Sequence, residues 1–237
     1  MFRFQSAQLL RLMAGAAFFA FLSACGEASE KTADDANTGP AIADAEEAER
    51  VGALADMAVG PDDAPVTVIE YASITCPHCA TFHEDVYPTI KKDYVDTGKV
   101  RFVFREFPTA PANLAVAGSM LARCTADKGD QTNYFVLLDA LFKTQMTWMR
   151  SDSPRDELLK IAGQAGMDET AFDACLNRSE LVDLINENVQ DARSRYDIAS
   201  TPSFVINGVV RRPSTSRPEE FAKILDEALE EAGISEQ

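Results

Sequence analysis

The chain has 237 residues, of which 46% are hydrophobic, so it is long enough to form one or two domains with a substantial apolar core. Its formal net charge of -16 at pH 7 argues against nucleic acid as a partner, because the phosphates would be repelled. This acidity favours solubility and does not by itself indicate a fold.

The first residues have the pattern of a secretory signal. Arg3 and Arg11 supply positive charge, and the apolar stretch LMAGAAFFAFL follows at residues 12–22. This stretch is too short for a membrane-spanning helix, which needs about 20 apolar residues, and it fits the central part of a signal peptide. The sequence LSAC comes next and resembles the lipobox of bacterial lipoproteins, which makes Cys25 the expected site of lipidation. An ordinary cleaved signal that happens to contain a cysteine is the alternative.

An acidic segment rich in Ala, Asp and Glu follows Cys25, and Ile42 is its one large aliphatic residue. Such a segment cannot bury enough apolar surface to offset the entropy lost on ordering, so it predicts a flexible tether. We therefore expect a signal peptide at 1–24 and a lipid-anchored acidic linker at 25–50.

The next segment predicts a strand, a helix and a second strand. PVTVIEY at 65–71 alternates and is rich in β-branched residues, and VRFVFREF at 100–107 has the same character. A helix between them, ending near Thr97 and kinked at Pro88, is predicted. It rests on four apolar residues at a regular spacing of four: Phe82, Val86, Ile90 and Tyr94.

Helical patterns alone occupy the chain from about Ala112 to Arg195. Strand patterns return with PSFVING, where Asn207-Gly208 predicts a tight hairpin turn before VVRR. A final helix is expected from Pro218 because of one apolar stripe: Phe221, Ile224, Leu225, Ala228 and Leu229. The segments 51–111 and 197–237 are thus predicted to form one α/β domain, interrupted by a helical insert at 112–196.

Two of the five cysteines, Cys76 and Cys79, are separated by two residues. A c-type haem site is excluded because Ala80 stands where a histidine is required. A zinc site with His83 as third ligand is disfavoured because zinc prefers four ligands, so no metal is expected. A purely structural disulfide is disfavoured because so short a loop restrains little of the unfolded chain.

A reactive redox pair explains the motif best. Cys76 lies where a strand ends and a helix begins, so unpaired N–H groups and the helix dipole would stabilise its thiolate. Pro77 suits the first helical turn, and His78 adds a donor and, when protonated, a positive charge. Because the reduced form is stabilised, the disulfide form is expected to be a strong oxidant.

The order β-α-β, helical insert, β-β-α carries three further marks: CPHC at 76–79, Thr201-Pro202, and Glu70 six residues before the first cysteine. Together they resemble the DsbA-like thiol-disulfide oxidoreductases of the thioredoxin superfamily. The resemblance extends from about Val51 to Gly233. It implies an α/β thioredoxin fold with an inserted all-helical domain.

The resemblance also implies roles for single residues. Cys76 is expected to be the exposed sulfur that exchanges with substrate, and Cys79 the buried sulfur that resolves the mixed disulfide. Glu70 is expected to be a buried acid that takes up the proton of Cys79, the alternative being a surface carboxylate on an edge strand. Pro202 is expected to be cis, with Thr201 presenting its backbone to a bound peptide.

The helical insert holds two further cysteines, Cys124 and Cys175. A structural disulfide between two helices is expected, contributing roughly 4 kcal/mol by loop entropy, and two free buried thiols are the alternative. We assign no role to His83 and favour core packing over a substrate contact for Trp148.

The predicted function is the introduction of disulfides into unfolded exported proteins, without a cofactor, in the periplasm or at the outer face of the cell envelope. We expect a monomer that a DsbB-like membrane redox partner recycles. Thr201 leaves an isomerase or reductase open, because oxidases of this family often have valine there. A copper-delivery or holdase lipoprotein is an alternative of another class, although no methionine-rich cluster lies beside Cys76.

Overall fold

A computed structural model describes residues 50–127 and 131–234, so the predicted signal peptide, Cys25 and nearly all of the acidic linker lie outside the described residues. Five strands form one sheet in the order β1-β3-β2-β4-β5. Strands β2 and β3 are parallel, and the other neighbouring pairs are antiparallel. The strands are β1 (Met57–Val59), β2 (Val66–Ala72), β3 (Val100–Glu106), β4 (Ser203–Ile206) and β5 (Val209–Arg211).

Strands β2 and β3 lie inside the sheet and are buried on both faces. Both strands are therefore buried along almost their whole length rather than at alternate residues, with Thr67 and Arg101 half-buried. Most of their residues are apolar, and the buried charged ones are Glu70, Arg105 and Glu106. Successive side chains of a strand point to opposite faces. Val68 and Glu70 consequently face the helix that follows β2, whereas Tyr71 packs on the other side of the sheet.

The helix after β2 is confirmed, although it ends at Val95 rather than near Thr97. It consists of α1 (Pro77–Thr81), a π-helical turn (Phe82–Val86), α2 (Tyr87–Ile90) and a second π-helical turn (Lys91–Val95). In a regular α-helix, residues spaced by four drift round the axis by about 40° per step. The wider π turns on either side of Pro88 reduce this drift, so all four apolar residues of the stripe stay buried.

The described part of the chain also contains a short 3-10 helix (Gly52–Leu54) and seven more α-helices: α3 (Ala112–Cys124), α4 (Thr132–Lys143), α5 (Gln145–Met149), α6 (Pro154–Gln164), α7 (Glu169–Leu176), α8 (Ser179–Tyr196) and α9 (Pro218–Glu231). The helical insert encloses its own core around Trp148 and Phe172. Ala192 of helix α8 packs against the face of the sheet that points away from α1. Phe221 of helix α9 packs against the opposite face, which is the one next to α1. Across these residues, no helix combines the length and the apolar character that a membrane crossing requires.

The arrangement is the predicted thioredoxin fold with helices inserted between β3 and β4. The predicted hairpin is confirmed: Asn207 and Gly208 both have positive φ, of 46° and 82°, and connect β4 to β5. Strand β1 was not predicted, because three residues are too few to show an alternating pattern. It adds to the sheet only through antiparallel pairing with β3.

A buried ion pair joins the sheet to the helical insert. Glu106 at the end of β3 and Arg123 in α3 are each 1% exposed. Arg123 donates from Nε to Oε1 of Glu106 at 2.6 Å and from Nη2 to Oε2 at 2.7 Å. Tyr134 and Asn188 donate to the same carboxylate at 3.0 and 2.8 Å, so helices α3, α4 and α8 all meet at one strand end. Every hydrogen bond here supports a charge that burial alone would destabilise.

We predict that Arg123→Met lowers the free energy of unfolding by about 3–5 kcal/mol, because it leaves Glu106 charged and unpaired in the interior. Urea denaturation followed by circular dichroism measures the loss. Arg155→Met is the matched control, because exposed Arg155 bonds Glu169 and Asp173 at the surface and should matter little. Equal unfolding midpoints for the two variants would contradict the importance of the buried pair.

Candidate active site

The two cysteines of the CPHC motif lie where β2 gives way to α1, and both are free thiols. Cys76 is the residue before the helix and has extended backbone angles, whereas Pro77 occupies the first turn. Cys79 is fully buried, as predicted. Cys76 is 7% exposed, so the expectation of an exposed sulfur is wrong in this state. The reason is that the loop before β4 lies against it.

That loop contains Thr201 and Pro202, which are half-buried and joined by a cis peptide bond. Sγ of Cys76 lies 3.4 Å from the carbonyl oxygen of Thr201 and donates to it when the thiol is protonated. The fold thus brings together two segments that are 125 residues apart in the chain. The backbone of Thr201 lies directly beside the sulfur.

The surroundings of Cys76 favour its thiolate. Its pKa is lowered from 9.0 to about 5, chiefly because the thiol of Cys79 donates a hydrogen bond to the sulfur. Burial acts in the opposite direction, and the side chain of Thr201 and the backbone N–H groups of Cys79 and His78 lower the pKa further. His78 thus contributes through its backbone N–H, and the residue is exposed. The predicted contribution of its imidazole stays a prediction.

Cys79 has the opposite protonation preference. Its pKa is raised well above the ordinary value, first because burial disfavours the charged form. The hydrogen bond with Cys76 and the negative charge of Glu70 raise it further. Cys79 is consequently a thiol under conditions where Cys76 is a thiolate, and its sulfur needs a proton acceptor before it can react.

Glu70 lies in the sheet below the two cysteines and is completely buried. The edge-strand alternative is wrong, because β2 has a hydrogen-bonded neighbour on each side. Oε2 of Glu70 lies 2.8 Å from Nε2 of His83, while Oε1 is buried without a hydrogen-bond partner in the described residues. No role was predicted for His83, although its position four residues after Cys79 places both on one helix face.

Gln145 in α5 is a further residue of the site and was not predicted. Its buried amide donates from Nε2 to the carbonyl oxygens of Ile74 and Cys76, at 2.8 and 3.0 Å. No pattern in the sequence pointed to a single glutamine. Trp148 in the same helix is fully buried and donates to the carbonyl of Leu141 at 2.9 Å, so the favoured core role is correct.

Cys124 and Cys175 are joined by a disulfide that links the end of α3 to α7. Within residues 50–127 and 131–234, no group of three or more His, Cys, Asp or Glu side chains is placed to hold a metal ion. The reactive groups of the site are thus a stabilised thiolate, a buried thiol and a buried carboxylate. Such a set can carry out thiol-disulfide exchange, because the thiolate is the attacking species in that reaction.

Comparison with known proteins identifies the family of the chain. A family model described as thioredoxin matches residues 53–227. A Rickettsia bellii protein named for protein-disulfide oxidoreductase activity is 32% identical over 177 residues, which are 75% of this chain and 66% of that protein. A Rickettsia conorii protein with the same kind of name is 34% identical over 176 residues, 74% of this chain and 61% of that protein. The match covers less than two thirds of each relative's length.

Solved structures agree with the sequence relatives. The crystal structure of Wolbachia pipientis alpha-DsbA1 is 30% identical, has a TM-score of 0.68, and the match covers 76% of this chain and 93% of that chain. BdbD from Bacillus subtilis, solved in its oxidised form, is 23% identical with a TM-score of 0.60, covering 74% of this chain and 93% of that chain. The second likeness supports the fold alone.

We predict that Cys79→Ala raises the pKa of Cys76 by about one to two units, because it removes a hydrogen bond to a charged sulfur. The change is measured by titrating the ultraviolet absorbance of the thiolate. His78→Ala is the matched control, since it keeps the backbone N–H and should shift the pKa less. A larger pKa shift in His78→Ala than in Cys79→Ala would show that the imidazole of His78, and not the thiol of Cys79, chiefly lowers the pKa of Cys76.

Proposed function

The chain belongs to the DsbA-like thiol-disulfide oxidoreductases of the thioredoxin superfamily, and from that premise we propose that it introduces disulfides into exported proteins through Cys76 and Cys79. The observation that supports this direction is the position of Cys76 at the start of α1, where the thiol of Cys79 donates to its sulfur and lowers its pKa to about 5. A sulfur that is stable as a thiolate is a good leaving group, and it makes the disulfide form of the pair oxidising.

The proposed exchange uses both sulfurs in turn. A substrate thiolate attacks Cys76 Sγ, the Cys76–Cys79 bond breaks, and Cys79 leaves and takes up a proton. A second substrate thiolate then attacks the substrate sulfur of the mixed disulfide, and Cys76 leaves as a stabilised thiolate. Two electrons pass from substrate to protein, and the substrate gains a disulfide. Thr201 presents its backbone beside Cys76, where an extended peptide can bind.

The proposed setting is an oxidising compartment outside the cytoplasm. The Cys124–Cys175 disulfide supports it, because structural disulfides persist where thiol reductants are scarce. A membrane redox partner that reoxidises Cys76 and Cys79 belongs to this proposal, as do unfolded exported proteins as substrates. A monomer suffices, because both sulfurs, Glu70 and Thr201 come from one chain.

An isomerase or reductase of the same fold is the competing function, and Thr201 before the cis-proline is the residue that favours it.

We predict that the oxidised full-length Cys25→Ala chain transfers about one disulfide per molecule to a reduced, unfolded substrate without glutathione. Thiol counting measures the transfer. If the protein only reshuffles scrambled disulfides, and its potential lies near that of thioredoxin at about −270 mV, the isomerase or reductase function replaces the oxidase.

A matched pair of variants assigns the two sulfurs in a second experiment, in which each reduced variant is mixed with a substrate that already contains disulfides, so that attack on a substrate disulfide forms the mixed disulfide and releases a substrate thiolate. Cys79→Ser should accumulate a mixed disulfide with substrate through Cys76, because the resolving thiol is missing. Cys76→Ser should accumulate none. The trapped species is identified by non-reducing electrophoresis and mass spectrometry, and trapping by Cys76→Ser instead would reverse the two roles.

We propose further that Cys25 carries a lipid anchor, on the support of the LSAC sequence after the apolar stretch. Cys25→Ala is predicted to move the protein from the membrane to the soluble fraction with its redox activity unchanged, because each buried CH₂ of an acyl chain contributes about 0.8 kcal/mol to membrane binding. Fractionation and labelling with radioactive palmitate measure this. Unlabelled wild-type protein would rule out the anchor.

A further inference from the structure

We infer that His83 is a positioning residue that holds Glu70 ready to accept the proton of Cys79. The inference rests on the thiol-disulfide exchange proposed above and adds a residue to it. It starts from two observations: a carboxylate buried below the cysteines, and a histidine that bonds one of its two oxygens and leaves the other without a partner.

The histidine ring is held firmly in place. It stacks on Phe142 with ring centroids 4.3 Å apart and an interplanar angle of 18°. Tyr87 and Phe104 pack at centroid distances of 5.0 and 5.9 Å. Neighbours from the same helical run, from β3 and from α4 thus restrict the ring, and Nε2 stays 2.8 Å from Oε2 of Glu70. With Glu70 ionised, this nitrogen carries the proton and donates it.

The second oxygen of Glu70, Oε1, is the atom that can accept a proton. Oε1 is buried and makes no hydrogen bond within the described residues, which is costly for a carboxylate. The charge of Glu70 reaches Cys79, whose pKa it helps to raise. Burial raises the pKa values of the Tyr87 and Tyr134 phenols, and the negative charge of Glu70 raises them further. Both phenols therefore stay protonated and cannot accept the proton of Cys79 in place of Glu70.

The proton transfer belongs to the step in which Cys79 attacks. With Cys76 in a mixed disulfide, the S–H proton of Cys79 passes to Oε1 of Glu70. The Cys79 sulfur then attacks Cys76 Sγ, the bond from Cys76 to its partner breaks, and the partner leaves as a thiolate. In the reverse step the proton returns from Glu70 to the departing Cys79. The contact of His83 Nε2 with Oε2 fixes the carboxylate, so that Oε1 stays without a hydrogen-bond partner in the described residues.

A purely structural His83 would only fill the aromatic cluster. Three substitutions separate that role from the inferred one. His83→Phe keeps an aromatic ring and removes the donor, His83→Gln offers an amide donor without a titrating ring, and Glu70→Gln removes the acceptor. Tyr87→Phe is the matched control, because it removes a neighbouring hydroxyl that makes no hydrogen bond in the described residues.

The test follows each sulfur in one reaction. The full-length Cys25→Ala chain is reduced until it shows two thiols, which are Cys76 and Cys79, and is mixed with the aromatic disulfide dithiobis(nitrobenzoate) in a stopped-flow spectrophotometer. Attack by Cys76 releases the first coloured nitrothiobenzoate anion, and attack by Cys79 releases the second. Loss of the second phase in Cys79→Ser establishes the assignment.

We expect His83→Phe to slow the second phase by about ten- to a hundredfold and to leave the first unchanged, as for the loss of a hydrogen bond to a charged group. Glu70→Gln should slow it at least as much, and His83→Phe should add nothing to Glu70→Gln, because both act through one carboxylate. His83→Gln and Tyr87→Phe should keep the wild-type rate and pH profile. The His83→Gln result stands even if His83→Phe fails to fold, because a positioning role needs the donor and not a titrating ring.

Contrary results are equally clear. An unchanged second phase in His83→Phe, a slowed one in His83→Gln, or multiplying effects of His83→Phe and Glu70→Gln would overturn the inference. In each case a wild-type protein with two normal phases leaves the proposed function intact. A wild-type protein that does not react with the reagent overturns both.

Discussion

The buried ion pair between Glu106 and Arg123 is the interaction on which the rest of the structure depends. It holds the helical insert against the end of β3, and Tyr134 and Asn188 complete its hydrogen bonds from two further helices. Because the insert is held there, Gln145 can reach the carbonyl oxygen of Cys76 from α5. A charge pair in the protein interior is costly unless its geometry is nearly ideal, so this contact tolerates little displacement of sheet against insert.

The active site has to satisfy opposite demands on two sulfurs that are three residues apart. Cys76 lies at the start of a helix, where N–H groups and the thiol of Cys79 stabilise negative charge. Cys79 lies one turn later in the apolar interior, where charge is disfavoured. One helical turn thus separates a site that favours a thiolate from a site that favours a thiol. Before Cys79 can react, its proton has to pass to an acceptor. In the proposed mechanism Glu70, which is buried in β2, accepts that proton.

The helical insert does more than cover the cysteines. Phe142 of α4 stacks on His83 and Gln145 of α5 bonds the backbone at Cys76, so the insert forms part of the wall around both the carboxylate and the thiolate. The thioredoxin part supplies the sulfurs, Glu70, and the Thr201–Pro202 loop. Neither part alone holds the whole arrangement.

The sequence by itself determined the order of elements, the helical insert, the Asn207-Gly208 turn and the CPHC motif, because each depends on residues close together in the chain. Periodicity records which face of an element is buried, but not what buries it. The burial of Cys76 against Thr201, the pairing of Glu70 with His83 and the bond from Gln145 were therefore decided only by the tertiary structure. So was strand β1, whose three residues become a strand only because β3 offers its backbone hydrogen bonds. Each of these depends on groups distant in sequence, and only the folded chain brings such groups within bonding distance.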